Sequence, residues 1–248
     1  KIRPDLLHCT SNTAPIHCPV PLVLTLHDII FLEPRQGGNR SWYQNMGWYY
    51  RRMVVPRILS QCEKIITVSH FECNRIREAL QLPKDKITAI YNGYSEHFRP
   101  LSETLSITRK YIDDDDYIFF LGNTDPKKNV ARTLKAYSLY LKQSDKKRPL
   151  LIADLSKDKL DAILREQQIE EIKPYLSYPG YIPNKDLAYL YNGAFVFLYT
   201  SLRESFGIPM LEAMACGTPV ITGNTSAMPE IAGEGGILVN SLNAKEIA

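Results

Sequence analysis

The sequence predicts an α/β protein built on parallel sheets, and three observations carry that prediction. Short apolar, β-branched runs bounded by Gly, Pro, Asn or Asp recur along the 248 residues, as expected of strands buried on both faces. Stretches with helical spacing lie between them, which is the alternation of a doubly wound fold. The composition, 44% hydrophobic and 23% charged, is that of an ordinary globular chain able to bury one large or two modest cores.

In chain order, residues 21–26 (PLVLTL) form the first predicted strand, followed by a helix over 42–59 and a strand over 64–68 (KIITV). A helix over 71–80 and a strand over 87–91 complete the first half. The second half reads as strand 117–121, helix 130–141, strand 150–153, helices 159–168 and 186–191, strand 195–198, helix 205–214 and strand 219–222. Between Asn92 and Asp116 an Asn-Gly pair, the Arg99-Pro100 step and an acidic stretch interrupt this rhythm, so a linker is placed there. The expected domains are 1–95 and 96–248. About three strands before the boundary are few for a Rossmann-like half, so the first domain is expected to be incomplete in this chain.

Net charge is +3, too mild to single out nucleic acid, and no nucleic-acid motif occurs. The cysteines Cys9, Cys18, Cys62, Cys73 and Cys216 are odd in number and far apart, with no metal-ligand spacing. A reduced, cytoplasmic chain without a metal is expected. No apolar run approaches the roughly 20 residues of a membrane span.

The chemistry concentrates in residues 200–220, TSLRESFGIPMLEAMACGTPV, predicted to run from a strand end through a loop into a helix and on to the next strand. Ser205, Phe206 and Gly207 fall at the expected first helical turn, where unpaired N–H groups and the positive dipole end suit a phosphate. Ile208 follows them. Glu204 stands at the mouth, and Glu212 is expected about 12 Å further along the helix axis at 1.5 Å per residue. Two such carboxylates could accept hydroxyls on either side of a diphosphate. Taken singly, they could equally be a dipole partner and a solvated helix position.

The whole string resembles the Glu-x7-Glu signature of retaining family-four glycosyltransferases of GT-B fold. The continuation 219–233, PVITGNTSAMPEIAG, is similar to that family's next segment. The resemblance implies two Rossmann-like domains. It also implies that Glu204 contacts the donor sugar's hydroxyls and Glu212 the ribose of a nucleoside diphosphate sugar. Residues 122–129, GNTDPKKN, lie after a strand and open a helix, where a cation and backbone groups can meet phosphate. There Lys128 matches the family's diphosphate-binding lysine, alongside Gly122. Asn123 stands where many members carry an arginine, which argues against a two-cation clamp. His27, in LTLHDII (24–30), resembles the family's histidine near the reaction centre; a lone histidine is otherwise more often structural. Ser69 matches an acceptor-side serine and could equally be a helix N-cap.

The implied reaction moves a hexose, mannose or glucose above others, from GDP-mannose or a UDP-sugar to a hydroxyl of a saccharide or lipid-linked acceptor. Such chemistry belongs to cell-surface polysaccharide or lipopolysaccharide assembly and needs no cofactor. Glu204 and His27 are the candidate catalytic residues, and no side chain stands out as a covalent nucleophile. A non-catalytic nucleotide-sugar-binding module and another GT-B enzyme such as a sugar epimerase are the alternatives. The aspartates at 113–116 precede a strand and read as a solvated turn, not a metal-binding pair. Residues 42–59, WYQNMGWYYRRMVVPRIL, mix aromatics with three arginines; they could touch an anionic membrane on its cytoplasmic face, or fill a core. Gly47 and Pro56 are expected to weaken or kink a helix there.

Overall fold

A computed structural model describes residues 4–33 and 42–248. Contacts divide the chain into two compact units, Lys1–Asn92 and Gly93–Ala248. The first unit contains β1 (Leu7–Cys9), β2 (Leu22–Thr25), α1 (Trp42–Gln61), β3 (Cys62–Thr67), α2 (His70–Leu80) and β4 (Ile87–Ala89). Its sheet is parallel throughout, in the order β1-β2-β3-β4. Leu22 and Leu24 of β2 and Ile65 of β3 bury against Val54, Val55, Ile58 and Leu59 of α1. Helix α1 runs through both Gly47 and Pro56. Pro56 is exposed, so its missing N–H and its ring lie away from the packed face that anchors the helix. The hydroxyl of Ser69, in β conformation, accepts the Glu72 N–H at 3.1 Å and caps α2.

The second unit contains α3 (Leu105–Thr108), β5 (Tyr117–Leu121), α4 (Val130–Gln143), β6 (Leu150–Ala153), α5 (Lys157–Gln167), β7 (Leu176–Gly180), α6 (Asn184–Gly193), β8 (Ala194–Tyr199), α7 (Ile208–Ala215), β9 (Val220–Gly223), α8 (Met228–Ala232), β10 (Gly236–Val239) and α9 (Ala244–Ile247). Its six strands are parallel in the order β10-β9-β8-β5-β6-β7. Alternation along β5 explains the two cores of this unit. Tyr117 and Phe119 face one, with residues of α6 and α7; Ile118 and Phe120 face the other, with residues of α4 and α5.

The three strands not predicted, β1, β7 and β10, all lie at sheet edges. An edge strand need not be apolar on both faces, so its sequence lacks the continuous run that marks an inner parallel strand. The stretch predicted as linker is packed instead. Phe98 is buried edge-on to Tyr191, Leu101 N–H donates to Asn192 Oδ1 at 2.8 Å, and Tyr111 donates to Asp186 at 2.5 Å.

Phe197 is fully buried between Phe119, Tyr191 and Tyr199, with ring centroids 5.1 to 5.9 Å away. Phe197→Ala is expected to lower unfolding free energy by about 3–5 kcal/mol in urea denaturation; a loss below about 1 kcal/mol would show that this aromatic column does not hold the sheet.

Candidate functional site

Strand order reverses around β5, which lies between β8 and β6. Ligands of open α/β sheets bind outside the carboxyl ends of the strands at such a switch point, and here the loops after β5 and β8 meet there. Lys128 ends a 3-10 turn, Pro126–Lys128, whose start Asp125 caps by accepting the Lys127 N–H at 3.0 Å. Glu204 lies in the loop after β8. The Lys128 ammonium meets Glu204 Oε1 at 2.7 Å, with the two side chains only 15% and 11% exposed.

Backbone and side-chain bonds fix both loops. Leu202 N–H donates to Lys127 O at 2.7 Å, and buried Asn129 donates from Nδ2 to Thr200 O and Ser241 O. On the far side, Glu204 N–H donates to Ser226 Oγ at 3.0 Å, and Thr225 donates to Leu202 O at 3.1 Å. The segment 219–233 therefore has a physical task, since its loop after β9 holds the backbone of Glu204.

Several sequence expectations need correction. Helix α7 starts at Ile208, not Ser205, because Gly207 at φ 109° cannot belong to a right-handed helix. Ser205 and Phe206 therefore precede the helix, and the Phe206 side chain is buried at 4% exposure. Pro209 lacks an N–H, and the Met210 and Leu211 N–H groups already donate to Gly207 O. Ile208, 39% exposed, then supplies the first helical N–H. Glu204 is off the helix, so the expected eight-residue axial separation from Glu212 does not apply.

Gly122 is closely packed. Its N–H donates to Ala153 O at 3.0 Å, and a Cβ there would stand 3.2 Å from Ile152 and 3.3 Å from Phe120. Asn123 Oδ1 accepts the Asp125 N–H at 2.8 Å and shapes the loop. Lys128 precedes α4, separated from it by Asn129 in left-handed conformation, so it is not in a helical first turn. His27 belongs to the first unit, just past β2; its N–H donates to Asn12 Oδ1 at 2.7 Å and its Nε2 lies 3.0 Å from Thr10 O.

Two tyrosines that sequence reasoning missed back the signature carboxylates. Tyr199 ends β8, is 3% exposed, and has the Lys128 ammonium 5.1 Å from its ring centroid. Burial first, then the nearby Glu204 charge, hold its phenol well above the ordinary range. Tyr191 approaches Glu212 Oε2 at 3.4 Å. Burial raises the Glu212 carboxyl above the usual range, against a smaller lowering by Tyr191. The only sequence signal for Tyr199 was its place at a strand's carboxyl end.

Of the aspartates at 113–116, Asp116 pairs with Arg148 at 2.6 Å and with Lys146, Asp115 pairs with Arg109 at 3.1 Å, and Asp114 accepts the Asp116 N–H. Among the described residues no group of His, Cys, Asp or Glu is arranged to hold a metal ion, and no helix is long and apolar enough to cross a membrane.

The parallel α/β units are those of a GT-B fold, and a cation–carboxylate pair lies at the switch point of the second unit. Residues 105–248 match the family described as Glycosyl transferases group 1, and residues 1–97 match Glycosyltransferase Family 4. The chain belongs to the glycosyl transferases group 1 family. It is similar to O-antigen chain mannosyltransferase B of Escherichia coli, 31% identical over 88% of this chain and 57% of that protein. The fold is shared with sucrose-phosphate synthase from Thermosynechococcus elongatus (TM-score 0.71, 21% identity, 92% of this chain and 57% of that one). It is also shared with Anabaena HepE, solved in complex with UDP and glucose (TM-score 0.68, 20% identity, 92% and 60%). The chain thus spans little more than half the length of these proteins.

A carboxyl whose folded pKa is raised binds its proton more tightly folded than unfolded. The Glu212 contribution to stability therefore falls as pH rises from about 4.3, the unperturbed glutamate value, through its elevated folded value, and is level above. Glu212→Gln is expected to remove that downward slope and to be at least as stable as the parent at neutral pH. Urea unfolding across this range measures it, and an unchanged slope would show that Glu212 is not its source.

Proposed function

We propose that the protein is a retaining glycosyltransferase that moves a hexose from a nucleoside diphosphate sugar to an acceptor hydroxyl in cell-surface polysaccharide assembly. The observation that carries this reading is the Lys128–Glu204 pair at the switch point, with Glu212 inside the helix that follows. Lys128 neutralises charge growing on the leaving diphosphate, assisted by the N–H of Ile208 at the mouth of α7. Glu204 accepts hydrogen bonds from sugar hydroxyls, Glu212 from the ribose, and His27 contacts the sugar near the reaction centre. Positioning and charge stabilisation do the chemistry, without a glycosyl-enzyme intermediate.

Mannose from GDP-mannose is the favoured transfer, supported by the likeness to an O-antigen mannosyltransferase; a UDP-sugar is the other donor class. The acceptor is a saccharide or a lipid-linked chain at the cytoplasmic face of a membrane. Peripheral membrane contact is supported by α1, which carries exposed Trp42, Met46, Tyr49, Tyr50 and Met53 as well as Arg51 and Arg57, and no acidic residue.

A thermal-shift panel of GDP-mannose, UDP-glucose, UDP-GlcNAc and dTDP-sugars on the full-length protein tests the donor. The true donor at 100-fold over its Kd stabilises by about 2.7 kcal/mol, and Glu212→Ala should abolish most of the shift. If no nucleotide sugar raises the melting temperature, the proposed activity is wrong.

A further inference from the structure

Polar groups tie together the loops after β1 and β2 at the carboxyl edge of the first unit's sheet, and one of them, Asn12, stands outside every motif that points to the site. The two strands pair in register up to Cys9 opposite Leu24. Past that point the His27 N–H donates to Asn12 Oδ1 at 2.7 Å, and His27 Nε2 lies 3.0 Å from Thr10 O. The chain is anchored on either side of His27: Leu26 is buried and its N–H donates to Ile66 O at 2.8 Å, and Ile29 and Phe31 are buried beyond it. Between these anchors the His27 backbone is held by Asn12, which is itself partly buried.

The contact with Thr10 settles the ring's hydrogen-bonding sense. A carbonyl oxygen only accepts, so Nε2 carries the proton, and the neutral imidazole has its lone pair on Nδ1. We infer that Asn12 is a positioning residue for His27: its amide oxygen holds the His27 backbone so that the ring stays on the Thr10 carbonyl and offers Nδ1, as an acceptor, to a hydroxyl of the donor sugar. This rests on the reading of His27 as a sugar contact given above. Without the Asn12 oxygen a partly buried N–H loses its partner, which is costly enough for the loop to turn in search of another and carry the ring off Thr10. Either tautomer is then open to the imidazole, and an Nδ1–H form cannot accept a hydrogen bond from a hydroxyl at that nitrogen.

The test is a double-mutant cycle on the full-length protein, read by calorimetric titration of GDP-mannose and UDP-glucose beside GDP and UDP. Asn12→Ala is expected to weaken binding of the preferred nucleotide sugar roughly tenfold and to leave the bare nucleotide unchanged. Asn12→Asp, which keeps an acceptor oxygen, should restore most of the loss, and on a His27→Ala background Asn12→Ala should have no further effect. Nitrogen NMR of the parent protein labelled at histidine should show the neutral His27 ring protonated at Nε2. Equal losses for nucleotide and nucleotide sugar, a loss that persists without His27, or a ring protonated at Nδ1 would overturn the role of Asn12 while leaving the donor site standing. If the parent protein binds none of the four ligands, the donor-site reading itself falls and takes this inference with it.

Discussion

The Lys128–Glu204 ion pair closes the gap between the loops after β5 and β8, and the rest of the candidate site is arranged around it. Neither side chain reaches the other through local sequence, since 76 residues separate them. What brings them together is the sheet order, which makes the first strand of the second unit a neighbour of its fourth. The helices that follow β5 and β8 pack on opposite faces of that sheet, which opens a crevice between their loops. The pair lies nearly out of water, where desolvation offsets much of the attraction unless further hydrogen bonds hold it. Around it, bonds from Asn129 to Thr200 O, from Leu202 N–H to Lys127 O and from Glu204 N–H to Ser226 Oγ hold the two loops in place.

Beneath the loops, the aromatic column of Phe119, Tyr191, Phe197 and Tyr199 gives the site a floor that is apolar within the core and polar at its tips. Tyrosine suits this boundary because its ring packs with the core while its hydroxyl reaches a carboxylate. Glu212, raised by burial, would be costly inside an unbroken apolar helix face, and Tyr191 relieves part of that cost. The site is thus bought with core residues, and Gly207 allows the chain to close over them.

Much of the fold is legible in the sequence because parallel strands buried on both faces announce themselves as apolar runs. All seven predicted strands are present within a residue or two, while the edge strands β1, β7 and β10 carry no such signature. The candidate site is legible as a motif but not as geometry. Residues 205–214 have helical spacing, yet nothing in that spacing reveals that Gly207 takes a left-handed turn and delays the helix to Ile208. Gly122 reads from the sequence only as part of a phosphate-meeting segment, and its close packing against Ile152 and Phe120 comes from the strand pairing. The approach of the Lys128 ammonium to the Tyr199 ring could not be read at all, because it depends on how far the loop after β5 reaches over the end of β8.

Charge is divided between the two units in a way the net value hides. Residues 1–92 hold twelve Lys and Arg against seven Asp and Glu, whereas residues 93–248 hold eighteen against twenty. A unit with a net negative charge cannot gather a diphosphate by its overall field, since that field is repulsive at distance. Recognition there must come from a few groups in a site of low dielectric, where one ammonium is worth far more than in water. Lys128 is held almost out of solvent against Glu204, where salt screens it far less than it would a surface lysine. The first unit, by contrast, has the positive excess and the acid-free helix α1, and its field draws anionic groups over a Debye length. The two units therefore differ in electrostatic character, with a positive excess of five charges in residues 1–92 and a negative excess of two in residues 93–248.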